Sequence, residues 1–321
     1  MRVNTPVRVL MTALVLAIVA GGGTANAGIP IQTVVSFDPS AGQFPESLTV
    51  DKTDDVFVSL INPVGDILEV RPNGESSVFA HFDVGGFGPL GVKADPSGTL
   101  YVDVSTFDPA TRGVYRVRPD GTSTRLPGTG AIAFPNDLAL DKRGNIYATD
   151  SIAGAVWRIP RGGSAAIWFQ SPLLEGTGAF GLGFPLGANG IAIRHGQLIV
   201  ANTEGGRIVR IPIQHDGSAG TAATIVDGPS VFGVDGIALS VHGDIYAAVN
   251  SQNTLVRVTS AGSVETLATA ADGLDNPSSV AFGSGKGDRQ NLFIDNFSVF
   301  SATPHPGVLK AAVGEPGQPL P

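Results

Sequence analysis

The sequence has no cysteine, no long helical pattern and no cluster of basic residues. The lack of cysteine excludes disulfide bonds, so a folded chain of this kind depends on a buried core. Lysine and arginine total 20 against 28 acidic residues, which argues against nucleic acid or an anionic membrane surface as a partner. The 43 glycines, and short runs rich in valine and isoleucine, instead predict an all-β protein.

The chain has only one apolar run of note, and it lies at the N-terminus. Arg2 and Arg8 precede the run 9–20, and a small-residue pattern, Ala-Asn-Ala, follows at 25–27. This arrangement predicts a cleaved signal peptide over residues 1–27 and a secreted or periplasmic protein. An uncleaved N-terminal anchor is the alternative. Cleavage removes two arginines and no acid, so the formal charge falls from -8 to -10 and no membrane association is expected.

A unit of about 45 residues recurs six times after the signal peptide. Its clearest copy, PNDLALDKRGNIYATDS followed by GAVWRIP, gives two strands around a polar turn and then a third strand. A fourth strand completes most copies, which is typical of a β-propeller blade. The sequence therefore predicts a single domain over 28–321, a six-bladed β-propeller of four-stranded blades. A β-helix or sandwich is the alternative. Residues 31–37 lack a partner in the first unit, so we expect them to close the ring as the outer strand of the last blade.

One position in each unit lies at the entry of the first strand, which faces the propeller axis. These entry residues are spaced by 44, 46, 53, 46 and 43 positions: Glu46, Leu90, Asn136, Asn189, Asp235 and Ser278. Two carboxylates close together in a narrow channel need a shared proton or a cation. Two carboxylate and two amide oxygens suit calcium best, with magnesium, manganese or zinc as further possibilities. Alternatively, the same polar side chains are only local caps.

The chain also resembles the gluconolactonase/regucalcin family of six-bladed lactonases, also called senescence-marker-protein-like. The motifs are FPESLTVD, the PNDLALDKRGNIYATDS copy, ANGIAI with LIVANTEGGRIVRI, and VDGIALSVHGDIYAA. The resemblance implies that Glu46, Asn189 and Asp235 bind one divalent cation, that Asn136 lies in the same pocket, and that Asp235 is also the general base. Two residues depart from the family pattern: serine follows Glu46 and valine precedes Asp235.

These residues predict a metal-dependent hydrolase that cleaves a small lactone or ester with metal-activated water. Two other interpretations stay open: a non-catalytic propeller that binds a ligand or protein at its rim, and a bond-forming enzyme that uses a glutamate without a cation.

Phenylalanines near the entry positions favour an apolar substrate. Phe44, Phe87, Phe134 and Phe232 each precede an entry residue, and the long glycine-rich segment 171–190 is expected to form a flexible loop over the mouth. The alternative is that these rings pack between blades. Five phenylalanines are the candidate substrate contacts: Phe87, Phe134, Phe180, Phe184 and Phe232.

Overall fold

The structure is a computed structural model that describes residues 28–285 and 287–320. The predicted signal peptide, residues 1–27, lies outside the described residues. No helix in the described part of the chain is both long and apolar enough to traverse a bilayer.

The described residues form strands of three to seven residues and six short 3₁₀ helices. In chain order the strands are β1 (Ile31–Ser36), β2 (Pro45–Val50), β3 (Val56–Leu60), β4 (Asp66–Val70), β5 (Ser76–His81), β6 (Gly88–Ala94), β7 (Leu100–Ser105), β8 (Gly113–Val117), β9 (Ser123–Arg125), β10 (Pro135–Leu140), β11 (Ile146–Asp150), β12 (Ala155–Ile159), β13 (Ala166–Gln170), β14 (Ala188–Arg194), β15 (Gln197–Asn202), β16 (Arg207–Pro212), β17 (Ala223–Asp227), β18 (Val234–Leu239), β19 (Ile245–Val249), β20 (Thr254–Val258), β21 (Val264–Ala268), β22 (Pro277–Phe282), β23 (Asn291–Asn296) and β24 (Gly307–Ala312). The 3₁₀ helices are Pro39–Ala41, Thr129–Ala131, Pro172–Leu174, Pro229–Val231, Asn250–Gln252 and Ala270–Asp272.

The strands form six antiparallel sheets of four strands each. The first five sheets take consecutive strands, beginning at β2, β6, β10, β14 and β18. Each of these first strands contacts the first strands of the two neighbouring sheets, and β22 contacts β2 to close the ring. The predicted six-bladed propeller is therefore confirmed.

The sixth sheet joins the two ends of the chain. Its order is β22, β23, β24 and then β1, with β1 antiparallel to β24 from Ile31 opposite Ala311 to Ser36 opposite Gly307. The outer strand of the last blade thus comes from the start of the described chain.

The core consists of apolar layers between adjacent blades. The second strand β3 is buried along its whole length, because each blade is covered on both faces by its neighbours. Between the fourth and fifth blades, for example, Ile208, Val231 and Val249 pack in one cluster. The blades therefore stabilise one another. The ring also fixes the relative positions of the first strands of the blades, which we call the inner strands, around the axis.

Every inner strand carries a register irregularity at the same place. The pairing of β10 with β11 shifts between Pro135 and Leu138, and the other inner strands shift at equivalent positions. A β-bulge leaves residues unpaired in the hydrogen-bonded ladder between two strands and changes the direction of their side chains. The predicted entry residues lie in these bulges, at one mouth of the axial channel.

Candidate functional site

Glycines follow several entry residues because neighbouring inner strands approach closely there. A Cβ on Gly91 would lie 2.5 Å from the carbonyl oxygen of Asn136, and one on Gly236 would lie 2.7 Å from that of Ser278. A Cβ on Gly190 would clash with the carbonyl oxygen of Asp235. The Asn-Gly and Asp-Gly pairs of the sequence thus combine a polar side chain with the close backbone contact that the narrow ring requires.

The two entry asparagines are buried and held by hydroxyl groups of their own blades. Asn136, 4% exposed, donates from Nδ2 to Ser151 Oγ at 3.1 Å, and Asn189, 2% exposed, donates to Thr203 Oγ1 at 2.9 Å. Ser151 in turn donates to the carbonyl oxygen of Ala188, next to Asn189. Within the described residues neither amide oxygen accepts a hydrogen bond, so both stay available as ligands.

The two entry carboxylates lie in each other's electrostatic field. Burial raises the pKa of Glu46 well above its usual range, and the charges of Asp235, Asp137 and Asp295 raise it further, while Lys93 opposes them. Burial and the charge of Asp137 likewise raise the pKa of Asp235, and hydrogen bonding to Asn189 lowers it. In the described part of the chain, neither carboxylate forms an ion pair.

Three further carboxylates and one lysine lie along the channel, and sequence reasoning missed them. Asp103 and Asp295 are fully buried, and none of their carboxylate oxygens has a hydrogen-bond partner. Burial raises the pKa of both. Asp137 lies 2.9 Å from Lys93 Nζ in an ion pair and also accepts a hydrogen bond from the Ile191 amide at 3.1 Å.

A signal for two of these residues was present in the sequence. The residue of the second strand that lies opposite the bulge of the inner strand differs between blades: Ser59, Asp103, Thr149, Ala201, Ala248 and Asp295. Asp103 and Asp295 occur in the two blades whose entry residues, Leu90 and Ser278, lack a strong ligand. An alignment of the six second strands would have singled them out.

The entry residues suit a hard divalent cation in number and kind. They bring two carboxylates that form no ion pair and two unengaged amide oxygens to adjacent or facing bulges of one ring, as oxygen-ligated cations require. Within residues 28–285 and 287–320, no group of three or more histidine, cysteine or acidic side chains is placed to hold an ion. The candidate set is therefore mixed: the carboxylates of Glu46 and Asp235 with the amides of Asn136 and Asn189.

The predicted phenylalanines form two separate groups at this mouth. Phe87, Phe134 and Phe184 pack together with ring centroids 5.1 to 6.1 Å apart. Phe107, which the sequence did not single out, joins them at 6.2 Å from Phe87 and is 62% exposed. Phe134 itself is buried among Ile61 and Leu90, so part of the group is core and part is rim.

Phe180 and Phe232 form the second group, with centroids 5.4 Å apart. Phe180 belongs to the long segment 171–190, which is anchored by a buried carboxylate. Glu204 accepts hydrogen bonds from the backbone amides of Thr177, Gly178, Phe180 and Leu186 at 2.6 to 3.1 Å. The loop expected to be flexible thus has a fixed attachment to the next blade.

Solved structures with this architecture include enzymes of different classes. A gluconolactonase from Xanthomonas campestris is 19% identical, with a TM-score of 0.65 over 90% of this chain and 89% of that chain. A luciferin-regenerating enzyme is 14% identical, with a TM-score of 0.64 over 91% and 98%. An inactive variant of virginiamycin B lyase from Staphylococcus aureus is 15% identical, with a TM-score of 0.58 over 88% and 99%. At these identities the likeness concerns the fold alone.

No curated protein sequence matches the chain significantly. One family model does match, over residues 186–296, and its description is SMP-30/Gluconolactonase/LRE-like region. The match includes Asn189 and Asp235, whereas Glu46 and Asn136 lie outside it. The resemblance to the gluconolactonase/regucalcin family is therefore confirmed, and residues 186–296 form an SMP-30/gluconolactonase/LRE-like region.

Proposed function

We propose that the protein is an exported, divalent-cation-dependent hydrolase that opens a small apolar lactone or cleaves a related ester. The observation that carries the proposal is the convergence of Glu46, Asn136, Asn189 and Asp235 on equivalent bulges of adjacent or facing inner strands. The family-model match over residues 186–296 supports lactonase chemistry rather than another propeller activity.

Glu46, Asn189 and Asp235 would hold the cation, and Asn136 would complete the pocket. When bound, a divalent cation polarises an ester carbonyl and makes water a better nucleophile. The hydroxyls of Ser151 and Thr203 keep the two amides in a fixed orientation, which limits the reorganisation needed on substrate binding.

Asp235 would act as the general base. The residue is partly exposed at the channel mouth, so that a water molecule has access to its side chain. The proton leaves the attacking water for a carboxylate oxygen of Asp235. It then passes to the alkoxide leaving group as the ring opens.

The phenylalanines would select an apolar substrate. Phe87, Phe107 and Phe184 form an aromatic surface near the entry residues, and Phe180 and Phe232 form a second aromatic pair. We therefore expect aromatic and alkyl-substituted lactones to be better substrates than sugar lactones, because apolar groups gain about 25 cal/mol for each square ångström buried.

The first test is a panel of alkyl, aryl and sugar lactones assayed with calcium, magnesium, manganese and zinc. Asp235→Ala should reduce kcat by at least a hundredfold, and Glu46→Gln should weaken cation binding measured by calorimetry. Asp120→Asn, in an exposed turn, is the matched control and should retain wild-type turnover. Wild-type turnover by Asp235→Ala, or binding of an apolar lactone with no hydrolysis under any cation, would refute the proposal and favour a binding propeller.

Export is tested separately by sequencing the N-terminus of the protein recovered outside the cytoplasm. We expect it to begin at Gly28, the residue after the Ala-Asn-Ala pattern. A chain recovered only with Met1 would support the uncleaved anchor instead.

A further inference from the structure

The axial channel has a second mouth, which the proposed hydrolysis does not use. A cavity of about 710 Å³ opens at the end of the channel opposite the entry residues. Its inner wall contains the last residue of every inner strand: Val50, Ala94, Leu140, Arg194, Leu239 and Phe282. Asn136 and Asp141 are five residues apart in sequence, at opposite ends of the inner strand β10. A strand rises about 3.3 Å per residue, so the two mouths lie roughly 17 Å apart.

The lining of this cavity is basic although the protein is acidic. It includes five lysine and arginine side chains, Lys93, Lys142, Arg143, Arg158 and Arg194, and two histidines. The whole chain has a formal charge of -8. A local excess of positive charge on such a protein concentrates anions at that place.

Most of these cations have no acidic partner. Among the described residues, Lys142, Arg143 and Arg158 form no ion pair, and the buried Nε of Arg158 has no hydrogen-bond partner. Arg194 donates only to neutral oxygens: its Nη2 lies 2.6 Å from the Val241 carbonyl oxygen, and its Nε lies 2.9 Å from the side-chain oxygen of Gln318. Guanidinium groups that line one cavity without carboxylate partners are suited to bind an anion.

The single acid described in the lining is already engaged. The Asp141 carboxylate accepts hydrogen bonds from the backbone amides of Arg143 and Asn145 and from the Asn145 side chain, at 2.7 to 2.9 Å. It therefore holds its own turn and does not neutralise the arginines across the cavity. At the inner end, the ion pair of Lys93 with Asp137 separates this cavity from the entry carboxylates.

Much of the remaining wall is apolar. Leu140, Ile193, Ile237 and Phe282 come from the inner strands, and Leu320 borders the opening from the C-terminal segment. A ligand of this cavity thus meets cations on the side of the third and fourth blades and hydrocarbon around the axis. The volume is in the range of small-molecule sites.

We propose that this second mouth is a binding site for a small organic anion, a carboxylate or phosphate monoester with an apolar body. The charged group lies among Arg143, Arg158 and Arg194, and the apolar body lies against the ends of the inner strands. The site is separate from the hydrolytic mouth, since its lining contains no entry residue and no candidate substrate contact.

Calorimetric titration of cation-free protein with octanoate, octyl phosphate and neutral octanol tests the proposal. Removal of the cation ensures that the probes gain no affinity from metal at the opposite mouth. We expect both anions to bind at least tenfold more tightly than octanol and to weaken as salt is raised. Tighter binding of octanoate would indicate a carboxylate ligand, and tighter binding of octyl phosphate would indicate a phosphate monoester.

Arg143→Gln and Arg158→Gln should each weaken binding of the preferred anion about tenfold. Arg143 is exposed on a turn, so its variant should fold even if Arg158→Gln does not. Arg118→Gln, at an exposed turn of the second blade, is the control and should bind like wild type. Equal affinity for octanol and the anions would overturn the proposal, as would equal losses in Arg118→Gln and Arg143→Gln.

Discussion

At the scale of single residues, one position explains how the channel differs between blades. Ser59 and Thr149 lie in the second strands of blades one and three, opposite the bulge. The Ser59 hydroxyl accepts a hydrogen bond from the backbone amide of Ser47 and donates to its carbonyl oxygen, and the Thr149 hydroxyl does the same with Asp137. Asp103 occupies the equivalent position in blade two without any hydrogen-bond partner. A hydroxyl therefore satisfies the bulge, whereas a carboxyl group at this position stays buried without a hydrogen-bond partner.

Replacing Asp103 with threonine should stabilise the cation-free protein. The new hydroxyl would bridge the Gly91 bulge as Thr149 bridges the Asp137 bulge, and the desolvated carboxylate would be removed. We expect the free energy of unfolding near pH 7.5 to rise by about 1 kcal/mol or more in urea denaturation. The reverse change, Thr149→Asp, is the matched comparison and should destabilise. A loss of stability in Asp103→Thr would show that the carboxylate has an unseen favourable role.

At the scale of strands and loops, the repeat made most elements predictable. Apolar strands between glycine-rich turns identified the blades, and the regular start of each unit identified Glu46 and Asp235 as residues that face the axis. Asp103 was missed because it lies inside an apolar strand; an alignment of the six second strands distinguishes it, and the pairing register places it against a bulge. Phe107 and Glu204 were missed because tertiary contacts, rather than local pattern, set the paths of their loops.

The attachment of the long loop to Glu204 gives a prediction at this scale. Glu204→Gln replaces one carboxylate oxygen with an amide donor that faces backbone donors, so the segment 177–186 should detach. We expect faster hydrogen exchange of these amides and about a tenfold lower kcat/KM for apolar lactones, since Phe180 and Phe184 would lose their positions. Glu175→Gln, exposed on the same loop, is the control. Unchanged exchange at residues 177–186 would contradict the anchoring role.

At the scale of the whole molecule, the ring concentrates acidic groups along its own axis. Glu46, Asp103, Asp235 and Asp295 all have pKa values raised chiefly by burial, and Lys93 is the one cation that lowers three of them. The closed arrangement of blades prevents the inner strands from separating to relieve this repulsion. The proposed cation would therefore contribute to stability as well as to chemistry.

This charge predicts how stability depends on pH and on cations. Because the folded-state pKa values are raised, the folded protein binds more protons than the unfolded chain above about pH 4, the ordinary carboxyl range. The free energy of unfolding of cation-free protein should thus fall as pH rises from about 5.5 to 8, by about 1 kcal/mol or more. Calcium should oppose the fall, because it compensates the ionised carboxylates. Urea denaturation at both pH values, with chelator and with calcium, measures the effect. A free energy of unfolding that rises with pH in chelator, or that is unchanged by calcium at pH 8, would contradict a cation at the entry residues.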